Sequence, residues 1–237
     1  VHPYTAFIPY LWPVKNPPSM PFDLLICDLD GTLVDSKHDL MAALNHALGH
    51  LGQPLVDVED VPGLLGSGLL SLLKSVTSTD DPELLDHARH LFDAYYREHV
   101  ADLTRCYPGV RETLAALPGI KKAVYSNKPH AFTEAVVDAV GLTPFFHIIL
   151  GAQPEIMPLK PDPAGIRHLL SALQIAPERA LMVGDSTHDL EAARAAGVPA
   201  CAVTYGYRPA EALRAHQPEF VIDGFGELMG IFGKEAE

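Results

Sequence analysis

The feature that most constrains this chain is an alternation: short, unbroken apolar runs recur along it, separated by stretches of helical period. The runs are DLLIC (23–27), KKAVYS (121–126), FHIIL (146–150), ALMVG (180–184), PACAVT (199–204) and the weaker FVID (220–223). A strand with one wet face alternates apolar and polar residues, whereas an unbroken run is expected of a strand covered on both faces. The helical stretches end at recognisable punctuation: RETLAAL at Pro118-Gly119, AFTEAVVDAV at Gly141, HDLEAARAA at Gly197. Asp162-Pro163 reads as an N-cap and first helical residue opening AGIRHLLSALQ. Strands alternating with helices imply right-handed crossovers and a mostly parallel sheet. The expected fold class is therefore α/β, with a doubly wound core.

The alternation breaks once. Residues 36–104 contain no good strand. Ser36 with Asp39 three residues later resembles a capping box, and LMAALNHALGHL follows at helical spacing. Asp81-Pro82 opens a long helix with Leu84, Leu85, Ala88, Leu91, Phe92 and Tyr95 on one face. This segment is expected to be a small all-helical domain (36–104) inserted after the first strand, with 20–35 and 105–237 forming the core. Residues 1–19 carry five prolines, no period, and none of the charge or cleavage pattern of a signal peptide. They are expected to be an extension outside the fold.

Composition narrows the partners. At 48% hydrophobic residues a full core can be buried, and a net charge of −13 disfavours nucleic acid. No apolar run approaches a membrane span. Three cysteines (Cys27, Cys106 and Cys201) are too few and too odd for a disulfide framework and point to a reducing, cytoplasmic setting. An acidic protein acting on an anionic ester needs a metal and local donors to offset repulsion.

Ligands of open parallel sheets bind outside the carboxyl ends of the strands, so the residues following each strand matter most. After the first come Asp28-Leu29-Asp30-Gly31-Thr32. One carboxylate can attack phosphorus while the other protonates the leaving oxygen. The turn at Leu29, Gly31 and Thr32 is expected to offer N–H groups to phosphate oxygens. After the next strand, the Ser126 hydroxyl and the Asn127 amide can donate to a phosphoryl oxygen. Lys160, in KPDP, supplies a compact charge. Asp185 and Asp189, four apart at a helix start, suit Mg2+. Singly, each patch has a plainer reading as a turn, strand end or helix cap. In chain order on one side of one sheet, they supply the parts of phosphoryl transfer.

DLDGTLVDS, SNK, KPDP and GDSTHD resemble the four motifs of the haloacid dehalogenase-like hydrolases, and the resemblance covers about residues 22–225. It implies a Rossmann-like core with a mobile helical cap. In it Asp28 would form an aspartyl-phosphate and Asp30 would act as acid and then base. Magnesium would sit on Asp28, the Asp30 backbone carbonyl and Asp185. Asp189 would bind the metal directly, act through water, or hold Lys160. Within the superfamily, DLTRCYPGV (102–110), SNKP and VTYGY (203–207) look most like phosphoglycolate phosphatases, implying a small phosphorylated metabolite as substrate. The glycine-rich loop VPGLLGSGLL (61–70), with Gly66, Ser67 and Gly68, either closes over the leaving group or is a plain turn. It departs from those phosphatases in placing Pro62 and Leu64 where they tend to carry arginine and tryptophan.

Other readings are weighed against these. A His46/His50 zinc site lacks a cysteine partner. His188 either touches substrate or is an exposed helix-start residue, and Tyr95/Tyr96 are expected to pack inside the insert. A dehalogenase does not need Asp30. A phosphonate hydrolase needs a lysine in the insert, where Lys37 and Lys74 are the candidates. A sugar phosphomutase or a pyrophosphatase would share the motifs, and a non-catalytic binding domain would be expected to have lost one of them.

Overall fold

The computed structural model describes residues 22–58, 60 and 66–233. The expectation for residues 1–19 and the positions Pro62 and Leu64 lie outside them.

Six parallel strands form the main sheet. In chain order, β1 is Leu24–Cys27, and β2 (Val34–Asp35) follows the turn after it. Among the described residues three helices come next: α1 (Lys37–His50), α2 (Leu69–Thr77) and α3 (Pro82–Glu98). After these come β3 (Arg105–Cys106), α4 (Val110–Ala116), β4 (Lys121–Pro129) and α5 (His130–Ala139). The chain continues as β5 (Ile148–Ala152), α6 (Ala164–Leu173), β6 (Ala180–Gly184) and α7 (Thr187–Ala196). It ends with β7 (Ala200–Val203), α8 (Ala210–Ala215), β8 (Phe220–Ile222) and α9 (Leu228–Ile231). The sheet order is β5-β4-β1-β6-β7-β8. The chain builds outward from β1 through β4 to β5, then returns to β6 on the other side of β1. That reversal leaves a crevice at the carboxyl ends of the central strands.

The apolar runs follow from burial on both faces. Leu25 and Cys27 of β1 join Leu181, Val183, Cys201 and Val203 in one core. Leu24 and Ile26, pointing the opposite way, join Ala180, Met182, Ala200 and Ala202 in the other. A third core belongs to the inserted helices: Leu44 and Leu48, Leu73, and Leu85, Ala88, Phe92 and Tyr96, with Phe132 of α5 packed against them. On α3 the buried tyrosine is Tyr96. Tyr95 is partly buried against the same cluster and stacks on His46 of α1 with ring centroids 4.6 Å apart.

Two local expectations are corrected. Ser36 and Asp39 do not form a capping box, since Ser36 makes no side-chain cap. Its hydroxyl donates instead to the Asp30 carboxyl group. Asp39, almost fully buried, accepts from the Leu103 N–H at 3.0 Å and from the Thr104 N–H and hydroxyl, both at 2.7 Å. It thereby ties the start of the helical unit to its end. The helix α6 also begins one residue later than read, because Pro163 occupies the cap position. Asp162 still accepts the Ala164 N–H at 2.8 Å.

Candidate active site

Three of the polar patches stand at the carboxyl ends of the central strands β1, β4 and β6, and Lys160 reaches them from the loop after the edge strand β5. Leu29 is fully buried, so Asp28 and Asp30 on either side of it face the crevice. Asp28 is anchored by its own N–H, which donates to the Val183 carbonyl of β6 at 2.9 Å. Its Oδ1 accepts the Leu29 N–H at 2.7 Å and the Lys160 ammonium at 2.8 Å. Both contacts fall on one carboxylate oxygen.

Lys160 is 4% exposed and is also bonded to Asp189 Oδ1 at 2.7 Å and the Tyr125 carbonyl at 2.9 Å. Burial alone would discharge such an ammonium, but the Asp189 and Asp28 charges more than offset it and hold the group well above the ordinary lysine range. Asp189 is fully buried and does two jobs. Its Oδ2 accepts the Ser186 N–H at 3.0 Å and hydroxyl at 2.7 Å in a capping box that starts α7, while Oδ1 holds Lys160. Asp185 Oδ2 accepts the Tyr207 N–H at 2.7 Å, and Oδ1 accepts the Thr32 hydroxyl at 3.3 Å.

Asp28, Asp185 and Asp189 present carboxylate oxygens within 4.8 Å of one another, all buried. Burial, then the Asp189 charge, pushes Asp28 up to about 7 despite Lys160. Burial and the charges of Asp28 and Asp189 hold Asp185 well above the carboxylate range. Three buried carboxyls and one ammonium leave an excess of negative charge when ionised. The donor set is hard oxygen throughout, so it fits a divalent cation of the magnesium type. The turn allows no bulk here. Gly31 has φ +84°, and a Cβ on it would lie 2.2 Å from Asp185 Oδ2.

Asp30 stands apart from that group. Its carboxylate is gripped by the Lys128 ammonium at 3.1 and 3.0 Å and by the Ser36 hydroxyl. Ser36 is itself held by Tyr207, whose hydroxyl accepts the Ser36 N–H at 2.8 Å. Lys128, Ser36 and Tyr207 were not assigned from sequence. SNK and VTYGY were noticed there, but nothing in a linear pattern tells that Lys128 meets Asp30 while Lys160 meets Asp28.

Several expected phosphate donors are otherwise engaged. The Gly31 N–H donates to the Val34 carbonyl at 2.8 Å and the Thr32 N–H to the Leu29 carbonyl at 3.3 Å, because the turn must satisfy its own amides. The Leu29 N–H is at the site but bonded to Asp28. The Ser126 hydroxyl lines the crevice and accepts the Lys128 N–H at 3.2 Å. The Asn127 side chain is a staple. It donates to the Gly66 and Lys160 carbonyls, both at 2.9 Å, and accepts the Lys160 N–H at 2.8 Å.

Above the carboxylates lies a cleft of about 700 Å³, part of it open to solvent. Leu40, Leu72, Phe92 and Tyr96 of the helical unit roof it, and Phe132 and Arg208 wall it from the core. Gly66 and Gly68 line it, while Ser67 does not. His188 is half-buried rather than exposed, and its Nδ1 is enclosed with no hydrogen-bond partner. Lys37 and Lys74 lie outside the cleft and pair with Asp35 at 3.4 Å and Asp80 at 2.7 Å. The His46 and His50 rings lie 4.3 Å apart, tilted by 42°, and among the described residues the only metal-competent group of three is the aspartate set.

Fold and site together define a doubly wound α/β protein with a cluster of buried carboxylates at the head of its central strands. More particularly, the chain belongs to the haloacid dehalogenase-like hydrolases, the family matched by residues 25–203. Its relatives include the phosphoglycolate phosphatase of Vibrio cholerae, 37% identical over 88% of this chain and 96% of the relative. That of Pseudomonas putida is 38% identical over 87% and 78%. Among solved structures, a predicted phosphoglycolate phosphatase from Haemophilus somnus superposes with TM-score 0.84 at 31% identity, covering 89% of this chain and 98% of that one.

Proposed function

We propose that this protein is a magnesium-dependent phosphomonoesterase that works through an aspartyl-phosphate on Asp28, with 2-phosphoglycolate as its substrate. The observation that carries the reading is Asp28 itself. It is a carboxylate fixed at a strand end by a backbone amide and a buried lysine, both on one oxygen, which leaves the other to attack. The names of the relatives support the choice of substrate.

In this reading, an Asp28 oxygen bonds to phosphorus as the bond from phosphorus to the alcohol oxygen breaks. Asp30, carrying the proton, gives it to the departing alkoxide. Asp30 then takes a proton from water as that water attacks the aspartyl-phosphate, releasing phosphate and restoring Asp28. Lys160 and the Ser126 hydroxyl face the phosphoryl oxygens, and the Asn127 staple holds Lys160 to its station. Asp28, Asp185 and the Asp30 carbonyl would hold magnesium, which when bound neutralises phosphoryl charge, and Asp189 serves by fixing Lys160. Residues 36–104 act as the cap that excludes water, hinged where Asp39 joins Leu103 and Thr104. The cysteines, all free, fit a cytoplasmic setting.

The test is phosphate release by the purified chain from 2-phosphoglycolate, sugar phosphates, nucleotides, pyrophosphate and phosphonoacetaldehyde, with magnesium and with chelator. Magnesium-dependent release that is greatest on 2-phosphoglycolate is expected. Release unaffected by chelator, or greatest on another of these compounds, contradicts the reading.

A further inference from the structure

Asn127 is buried near the end of β4, and its side-chain amide meets the main chain of Lys160 twice. Oδ1 accepts the Lys160 N–H at 2.8 Å, and Nδ2 donates to the Lys160 carbonyl at 2.9 Å. A primary amide carries a second N–H, and this one donates to the Gly66 carbonyl at 2.9 Å. All three partners dictate how the amide is turned: an N–H, which can only donate, faces its oxygen, and two carbonyls, which can only accept, face its nitrogen. Of the three bonds only that to Gly66 leaves the core and enters the helical unit.

The segment around Gly66 is built for close approach to the core. Gly66 and Gly68 have φ +99° and +87°, a backbone that side chains disfavour. A Cβ on Gly68 would lie 3.0 Å from the Leu159 side chain, so the segment rests directly on the residue before Lys160. Gly68 also stands at the N-cap of α2, whose Leu72 roofs the cleft. On the other side of the junction, the Lys160 ammonium lies 2.8 Å from Asp28 and 2.7 Å from Asp189. An unbroken path of contacts therefore runs from the roof helix through the Gly66 carbonyl and the Asn127 amide to the main chain of Lys160. It ends at the ammonium on the reacting carboxylate.

We propose that Asn127 is a positioning residue that makes the station of Lys160 conditional on the seating of Gly66, so that the lysine is aligned for phosphoryl transfer when the roof is docked. This rests on the phosphatase reading, in which Lys160 faces the phosphoryl oxygens, and adds a route by which the helical unit reaches the chemistry. With Gly66 seated, three hydrogen bonds fix the amide and, through it, both polar groups of the Lys160 main chain. With Gly66 away, the amide keeps two bonds and can turn together with the loop, so the ammonium loses its fixed place beside Asp28. Substrate held under the roof then completes the site, which is induced fit.

Gly66→Ala perturbs the docked segment while leaving the side chains of Asn127 and Lys160 intact. A Cβ there meets nothing nearer than 3.7 Å, so the substitution acts through the backbone, because alanine disfavours φ +99°. Two readouts are compared on the full chain for the wild type, Gly66→Ala, Asn127→Ala and the double variant. The first is hydrogen exchange, with magnesium and without substrate, over residues 157–164. Pro158, Pro161 and Pro163 have no N–H, so few amides remain beside that of Lys160. Gly66→Ala should speed exchange at Lys160 about tenfold or more, towards the rate in Asn127→Ala. The second is turnover of 2-phosphoglycolate with magnesium. Each single variant should lower kcat about tenfold or more with a smaller change in KM, and the double variant should fall within about twofold of the slower single one, because both break one path.

Exchange at Lys160 that ignores Gly66→Ala overturns the proposal. So do losses in kcat that multiply in the double variant, the result expected if Asn127 holds Lys160 irrespective of the roof. Should Asn127→Ala fail to fold, exchange and the kcat-against-KM split of Gly66→Ala decide, and a change confined to KM overturns the coupling. Aryl phosphate hydrolysis separates the two levels. None in the wild type defeats the phosphatase reading, whereas the exchange measurement needs no turnover and tests the path from Gly66 to Lys160 by itself.

Discussion

Lys160→Met isolates the electrostatics of the site. The ammonium is bonded to Asp28 at 2.8 Å and Asp189 at 2.7 Å, with 2% of its side chain exposed, so little solvent can replace it. Removing one partner of a buried pair costs about 3–5 kcal/mol. The loss should depend on pH in a defined direction. In the folded protein Asp28 sits at about 7, raised by burial and by Asp189, against 3.8 ordinarily. The folded state therefore holds more protons than the unfolded one between those values, and stability falls as pH rises through the window. The rise corresponds to roughly 4 kcal/mol. Lys160 limits it, so in the variant the window extends upward. Urea unfolding in chelator at pH 5, 6.5 and 8 measures this. The deficit should be smallest at pH 5, where Asp28 holds its proton and relies less on the cation, and approach about 3–5 kcal/mol at pH 8. A deficit that does not change with pH, or one below about 1 kcal/mol at pH 8, would refute the reasoning.

The same crowding makes Asp28→Asn a more stable protein without turnover. At pH 8 in chelator its urea midpoint should exceed that of the wild type, while phosphate release falls to background; a lower midpoint would contradict the electrostatic account. Magnesium should bind more tightly from pH 5 to pH 8, because the raised carboxyls must lose protons to bind it. Calorimetry in buffers of different ionisation enthalpy should show net proton release, and pH-independent binding without it would argue against the aspartate site. Asp39→Ala strips the acceptor from the two amides and the hydroxyl at the end of the helical unit, with an expected loss of about 2–4 kcal/mol. Denaturation reads that loss, and a change under about 0.5 kcal/mol would show that the junction is not held there.

What was legible in the sequence follows from the length scale of each signal. β1, β6 and β7 were visible because every residue in them is buried, so each run needs only its own residues to declare itself; the edge strands β5 and β8 are only partly buried and still read as short apolar runs. The β2–β3 ribbon was not, since two residues per strand carry no period. The carboxylates, Lys160 and Ser126 were visible as residue types after strands, but their pairing was not. Lys128 and Lys160 look alike in sequence, and only the fold, which sets Lys128 at the end of β4 beside Asp30 and brings the loop after β5 to Asp28, decides which carboxylate each meets. Ser36 and Asp39 had the spacing of a local cap and were taken by partners a fold away: Asp30 and Tyr207 for one, Leu103 and Thr104 for the other. The turn amides failed as phosphate donors for the converse reason. A turn this tight consumes its own N–H groups, which composition does not reveal.

The central claim is that phosphorus passes through Asp28, and the direct measurement is to trap it there. The enzyme is mixed with isotopically labelled 2-phosphoglycolate and magnesium, quenched in acid within milliseconds, digested and sequenced by tandem mass spectrometry. The account predicts a phosphorylated Asp28, labile to hydroxylamine, that forms before product accumulates and is absent in Asp28→Asn. Turnover with no labelled enzyme at any quench time, or label on another residue, would contradict it.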